Sequence, residues 1–330
     1  MLEINPFRIL VAGTGSIGRR HIRNLRSLLP QARYGFLRTH GRHDELSAEL
    51  DAEVFHDIPA AVAWQPSLAV VANPSDQHAA VTFPLLKAQV PTFIEKPVVI
   101  RDCDVLALSQ LVFSGLPATQ VGCVLRFLPS LRVLKTWLDE GRLGNIVRAS
   151  FEVGQWLPDW RPAQDYRRSY SASRAQGGGV VFDLIHEIDL ACWFFGDVSL
   201  LGAWGARRSR LEIETEDVAT LVLSGGAGEQ ICIQLDYVSR VPLRRIHIVG
   251  DEASATWNLP QRTLELHAPG IQHEMLREGF DTGAAYLDAM EELIEAMRSG
   301  GNTSLPLAEG MRATSIAIEA NLRIRGADNQ

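Results

Sequence analysis

Apolar positions in the first 120 residues of this 330-residue chain follow two alternating rhythms. Short β-branched runs, "FRILVAG", "ARYGFLR", "LAVVANP" and "PTFIEKP", are separated by longer stretches such as "SIGRRHIRNLRSLL" and "HAAVTFPLLKAQ", in which apolar residues recur every third or fourth position. The short runs predict strands and the longer stretches predict helices. Strands that alternate with helices of roughly 10 to 15 residues predict βαβ units around a parallel sheet.

After Gly122 the rhythm changes. A helix over about 129–140 and a strand over 146–154 lead into an aromatic loop and a helix opened by Gly177 to Gly179. The strands "VSLLGAWGAR", "DVATLVLS", "EQICIQLDYV", "RRIHIVG" and "SATWNL" follow, with "SGGAGE" and "GDEA" as hairpin turns. Consecutive hairpins predict a largely antiparallel sheet, and helical patterns over 284–299 and 308–323 close the chain. A sheet with helices on one face must shield its other face, commonly with a second copy of itself, so a homo-oligomer is expected.

Composition narrows the function classes. Net charge is −7 with Lys and Arg scattered, which speaks against a nucleic-acid partner. The apolar runs are strand-sized, far from the roughly 18 uncharged residues of a membrane span. The start, "MLEINPFRILVAG", has no basic region ahead of its apolar stretch and does not read as a secretory signal. Four well-separated cysteines, at 103, 123, 192 and 232, suit reduced thiols in a cytoplasmic chain.

"ILVAGTGSIGRRHI" sets Gly13, Gly15 and Gly18 in G-x-G-x-x-G spacing between a strand and a helix. Gly13 permits the turn and Gly15 lets backbone amides approach a pyrophosphate. Gly18 lets helix pack on strand, while the helix N-terminus, at Ser16 and Ile17, attracts the anion. The expected architecture is therefore α/β, with a dinucleotide-binding Rossmann domain over 1–121 and a substrate and oligomerisation domain over 122–330. A methyltransferase is the competing use of a glycine-rich βα turn. About twenty residues beyond the glycines, where NAD enzymes carry Asp or Glu, stands Arg38. Arg38, Thr39 and the more remote Arg42 suit a ribose 2'-phosphate, which makes NADP the expected cofactor and NAD the alternative.

Together "GTGSIGRRHIRNL", "NPSDQHAAV", "IEKPV", "VLRFLP" and "GGG" followed by "DLIHEID" resemble the Gfo/Idh/MocA oxidoreductase family, by motifs over about 8–196. The resemblance implies hydride transfer between a nicotinamide and a carbon of a sugar or cyclitol, in an oligomer (dimer to tetramer) built through the second sheet. It also implies that Lys96 lies by the nicotinamide and substrate, and that His186 is the acid/base. Asp183 stands three residues before His186, where the family pattern has four, so its catalytic role is open. The form of the motif and "PDWRPAQDYRRSYSA" are most similar to members acting on bacterial surface-sugar precursors. NAD-dependent glycosidases and non-enzymatic dinucleotide-binding regulators share the architecture.

The residues themselves carry compatible chemistry. Oxidation of a carbinol needs a base for the hydroxyl proton, and an imidazole titrates near neutrality. On a helical wheel Val181, Leu184, Ile185, Ile188, Ala191, Cys192 and Phe195 form one side. Asp183, His186, Glu187, Asp189 and Leu190 fall on the other, which can face a cleft, and Asp183 or Asp189 is placed to fix the His186 tautomer. "HEIDL" misses the H-E-x-x-H zinc motif at Leu190, so no metal is expected. Lys96, at a strand end, can polarise a carbonyl or steady an alkoxide. Asn73, Pro74, His78 and Glu95 fall at the same carboxyl edge and are candidate cofactor contacts. In "GQWLPDWRPAQDYRRSY", Trp156, Trp160 and Tyr166 are placed to stack on a sugar beside Asp159, Asp165, Arg161, Arg167 and Arg168, and Arg126 and Asp189 complete the substrate candidates.

Overall fold

The computed structural model describes residues 7–38, 43–270 and 274–327. Contacts divide the chain into two compact units, residues 1–124 with 286–311, and residues 125–285 with 312–330. The continuous division at 121 expected above differs in two respects: the boundary falls after Val124, and the segment 286–311 returns to the first unit. Its backbone bonds there, with the Val121 amide donating to the Leu305 carbonyl (3.0 Å).

In the first unit the order is β1 (Arg8–Ala12), α1 (Ser16–Leu28), β2 (Arg33–Leu37), α2 (Glu45–Glu49), β3 (Glu53–Phe55), α3 (Ile58–Ala63), β4 (Leu68–Val71), α4 (His78–Lys87), β5 (Thr92–Ile94), α5 (Asp102–Phe113) and β6 (Thr119–Val121). Six parallel strands lie in the order β3-β2-β1-β4-β5-β6. The sheet's centre is apolar on both faces: Ile9, Leu10, Val11, Val70, Val71, Phe93 and Ile94 are all fully buried. That is why these strands read as unbroken apolar runs. Strand order reverses between β1 and β4, the switch point outside whose carboxyl ends open α/β sheets bind ligands.

The second unit holds α6 (Pro129–Asp139), β7 (Ile146–Gly154), short 3-10 turns through 157–172, α7 (Val180–Asp183) and α8 (His186–Phe195). The strands β8 (Ser199–Ala206), β9 (Val218–Ser224), β10 (Gln230–Asp236), β11 (Leu243–Gly250), β12 (Ser254–Asn258), β13 (Thr263–His267) and β14 (Glu274–Leu276) follow. Helices α9 (Thr282–Ser299) and α10 (Leu307–Ala327) complete the chain.

The eight strands run β14-β13-β12-β11-β7-β10-β9-β8. The two expected hairpin turns are present, but β7 is inserted between β10 and β11 and pairs with β10 in parallel. Hairpin signals are local and carry no information about a strand contributed from eighty residues upstream. Strands β13 and β14 were not expected from the pattern. Along one face runs a cross-strand row of Leu221, Ile233, Phe151, Ile246, Trp257 and Leu264. All six are fully buried. Helix α8 packs against this face, its Phe195 meeting Phe151 edge-on with centroids 6.4 Å apart.

Candidate active site

The glycine turn follows β1 with the geometry its spacing predicts. Gly13 has φ +89°, and a Cβ there would lie 2.5 Å from the Asn73 amide nitrogen. A Cβ on Gly18 would lie 2.0 Å from the Gly13 carbonyl oxygen, whereas at Gly15 nothing stands within 4 Å. Helix α1 opens at Ser16 and Ile17 with no acidic residue in its first turn. Close packing at two glycines, an open third and an uncompensated helix N-terminus fit a dinucleotide pyrophosphate.

The other expected residues of this unit cluster around that turn. Asn73 and Pro74 follow β4, and Glu95 and Lys96 follow β5, all at the carboxyl edge. His78, expected as a cofactor contact, is 1% exposed, with Nδ1 2.8 Å from the Pro97 carbonyl and Nε2 2.9 Å from the Asn73 carbonyl. Burial holds its imidazole below the ordinary value despite these two acceptors. In its neutral form it has one N–H, so it donates to only one of these two carbonyls at a time, wedged between the loops that carry Asn73 and Lys96. Glu95 turns inward too: Oε1 meets the His21 Nε2 of α1 at 2.7 Å, and Oε2 accepts the Lys96 amide at 3.3 Å. His21 was missed by sequence reasoning. It lies on the buried stripe Gly18, His21, Ile22 and Leu25, and an imidazole on such a stripe needs a polar partner.

Arg38 follows β2 with its guanidinium 5.0 Å from the Phe36 ring centroid and Nη2 3.0 Å from Asp44 Oδ1. Thr39 and Arg42 lie outside the described residues.

In the second unit the helix expected from Gly177 onward is broken. Leu184, at φ −100° and ψ 30°, closes α7, and α8 starts afresh at His186. The charged side of the wheel was expected to face a cleft, but it is buried: Asp183, His186, Glu187 and Asp189 are 4, 8, 2 and 0% exposed. Charges in such a place require partners. Asp189 takes a bidentate pair from Arg126, Nε at 2.8 Å and Nη2 at 2.7 Å. Glu187 pairs with Arg244 Nε at 2.8 Å. Two of the expected substrate contacts, Arg126 and Asp189, thus hold each other and anchor α8.

Asp183 accepts a hydrogen bond from the Tyr237 hydroxyl and one from Tyr170. Burial, reinforced by the Asp183 carboxylate, raises both phenols well above their ordinary value, so both remain donors. The break at Leu184 and these two tyrosines give Asp183 an anchoring part. Sequence inspection offered no sign of Tyr237, which lies 54 residues away.

The aromatic loop is organised through its rings. Trp160 meets Tyr237 edge-on at 5.3 Å, Arg240 lies 3.6 Å from the Trp156 ring centroid, and the Tyr166 hydroxyl accepts the Glu212 amide at 3.3 Å. Leu157, Trp160, Arg161, Gln164, Tyr166 and Ser169 line a small recess in it.

Residues 7–112 match the model of an oxidoreductase family with an NAD-binding Rossmann fold, and residues 131–256 match the Gfo/Idh/MocA C-terminal domain. The chain belongs to the Gfo/Idh/MocA oxidoreductase family. It is 26% identical over 329 residues to inositol 2-dehydrogenase 1 of Saccharopolyspora erythraea, covering 96% of this chain and 93% of that one. It is 27% identical over 195 residues to the NAD(+)-dependent scyllo-inositol 2-dehydrogenase of Bacillus subtilis, covering 57% of this chain and 54% of that one. Among solved structures, levoglucosan dehydrogenase in complex with NADH and levoglucosan superposes with a TM-score of 0.85 at 16% identity, over 98% of both chains. UDP-N-acetylglucosamine 3-dehydrogenase of Acidithiobacillus ferrooxidans superposes with a TM-score of 0.78 at 20% identity, over 97% of this chain and 98% of that one. These two likenesses show a shared fold. No helix among the described residues is long and apolar enough to cross a membrane.

Proposed function

We propose that this oxidoreductase transfers a hydride between a nicotinamide dinucleotide, NADP(H) or NAD(H), and a carbinol or carbonyl carbon of a sugar, sugar acid or nucleotide-linked sugar. The observation that carries the reading lies in the first unit. The glycine turn, Asn73 and Lys96 follow three neighbouring strands, β1, β4 and β5, at one carboxyl edge. Relatives named as inositol 2-dehydrogenases support a polyhydroxylated substrate.

When bound, the nicotinamide accepts or returns the hydride. In the oxidising direction the His186 imidazole takes the proton of the substrate hydroxyl, and the Lys96 ammonium donates to the oxygen as negative charge develops there. In the reducing direction His186 returns that proton. Asp189 and Glu187 serve by fixing α8, which carries His186, and Asp183 by fixing α7 just before it. Trp156, Trp160 and Tyr166 offer ring faces to the apolar side of a sugar. We further place the enzyme in the cytoplasm as a homo-oligomer, a dimer or tetramer formed through the eight-stranded sheet.

The test is steady-state turnover on a panel of inositols, aldoses, uronic acids and nucleotide sugars, with cofactor followed at 340 nm. Lys96→Ala and His186→Ala should each lower kcat by roughly a hundredfold or more while calorimetric cofactor binding persists. Full turnover by either variant removes that residue from the chemistry. Product without net change in cofactor redox state favours the transient-oxidation glycosidase instead.

A further inference from the structure

We propose that Asp44 sets the balance between the two nicotinamide dinucleotides, as a built-in counter-ion on Arg38 with which a ribose 2'-phosphate must compete. The inference rests on the reading of Arg38 as the 2'-phosphate ligand.

Asp44 is held from several sides. Its Oδ1 accepts Arg38 Nη2 at 3.0 Å, and its Oδ2 lies 3.8 Å from Arg19 Nη2. Arg19 belongs to the first turn of α1, and its Nε donates to the Thr14 carbonyl inside the glycine turn at 3.2 Å. Asp44 is also the N-cap of α2: Oδ1 accepts the Ser47 amide at 2.9 Å, and the Ser47 hydroxyl accepts the Asp44 amide at 2.8 Å. The carboxylate therefore has a fixed address beside the two arginines at this corner of the glycine turn. Burial works to raise its proton affinity, but the Ser47 amide and Arg38 outweigh burial and hold it below the ordinary value. It is ionised at neutral pH.

A fixed carboxylate acts on the two cofactors in opposite senses. A ribose 2'-hydroxyl is a neutral donor that a carboxylate can accept, as the acidic residue does in NAD-binding folds of this type. A 2'-phosphate carries up to two negative charges, is repelled by Asp44, and gains Arg38 only by drawing it from its present partner. Arg38 attracts NADP and Asp44 opposes it. The preference is the difference between them, and it is tunable at position 44 without touching the arginine.

The experiment is calorimetric titration of the full chain with NADPH and with NADH, for wild type and three variants. Asp44→Asn keeps the size and the N-cap, since Asn caps as well as Asp, and removes the charge. The ratio Kd(NADH)/Kd(NADPH) should rise about three- to tenfold, mostly through tighter NADPH, in keeping with a partly exposed charge. Ser47→Ala breaks the capping box and leaves the ion pair, so both dinucleotides should shift together. Arg38→Ala should weaken NADPH alone. An unchanged ratio in Asp44→Asn, with NADPH still selectively weakened in Arg38→Ala, overturns the role of Asp44 and leaves the Arg38 reading standing. Equal effects of Arg38→Ala on both dinucleotides overturn that reading and the inference together. A ratio shift in Ser47→Ala as large as in Asp44→Asn assigns the effect to loop order and defeats the counter-ion account.

Discussion

Glu216 sits where Gly179, at φ +107°, leaves it room: a Cβ on Gly179 would lie 2.2 Å from Glu216 Oε1, which accepts the Val181 amide at 3.2 Å. Burial pushes its carboxyl up from 4.5 to about 7. In the unfolded chain the group loses its proton near the ordinary value, while the native state keeps it until about pH 7. Stability contributed by this group therefore falls as pH rises from 4.5 to 7, by about 3 kcal/mol in total. Glu216→Gln keeps the acceptor and removes the titration. Calorimetric melting at pH 5, 6, 7 and 8 should show the variant overtaking wild type toward pH 8, and parallel curves would assign Glu216 an ordinary carboxyl. Residue-scale reading of the sequence succeeded where backbone sterics decide, as at Gly13 and Gly18. It left the internal partners of His78 and Glu95 unseen, because a strand-end position marks the edge of the sheet, not the direction of the side chain.

Helix α8 shows what period alone leaves open. The wheel sets Ile188, Ala191, Cys192 and Phe195 apart from the charged positions, yet both sets are buried. It places the charges in a cleft, whereas ion pairs to Arg126 and Arg244 bury them. Removing one charge strands the other. Asp189→Asn should cost about 3 to 5 kcal/mol, the penalty typical of an uncompensated buried guanidinium, and should lower the urea midpoint accordingly. Replacing both partners, Arg126→Met with Asp189→Leu, should recover most of that loss. If the single variant unfolds at the wild-type midpoint, the pair does not anchor the helix. The break at Leu184 was equally hidden, since "VVFDLIHEIDL" has no Gly or Pro to announce it.

At the scale of the whole molecule, the eight-stranded sheet presents a second face whose composition differs from the buried one. One cross-strand row there reads Val222, Cys232, Ser150, His247 and Thr256, and the neighbouring row contains Trp204, Thr220, Gln234, Glu152 and Arg245. Trp204 is 62% exposed and Leu201 on the same edge strand is also 62% exposed. Mixed polar and apolar rows of this kind suit an interface between copies. Sedimentation at micromolar concentration should give a dimer or tetramer, and Trp204→Glu with Val222→Glu should shift it toward monomer; a wild-type monomer ends the oligomer reading. Strand and helix periodicity, the glycine spacing and the strand-end placement of Asn73 and Lys96 were determined by the sequence alone, because each depends on residues a few positions apart. Tertiary structure decided the insertion of β7 and the partners of the buried charges. His21 meets Glu95 across 74 positions, Arg126 meets Asp189 across 63, and Tyr237 meets Asp183 across 54. No local pattern encodes such pairings, since a buried charge specifies that it needs a partner but not from where along the chain that partner comes.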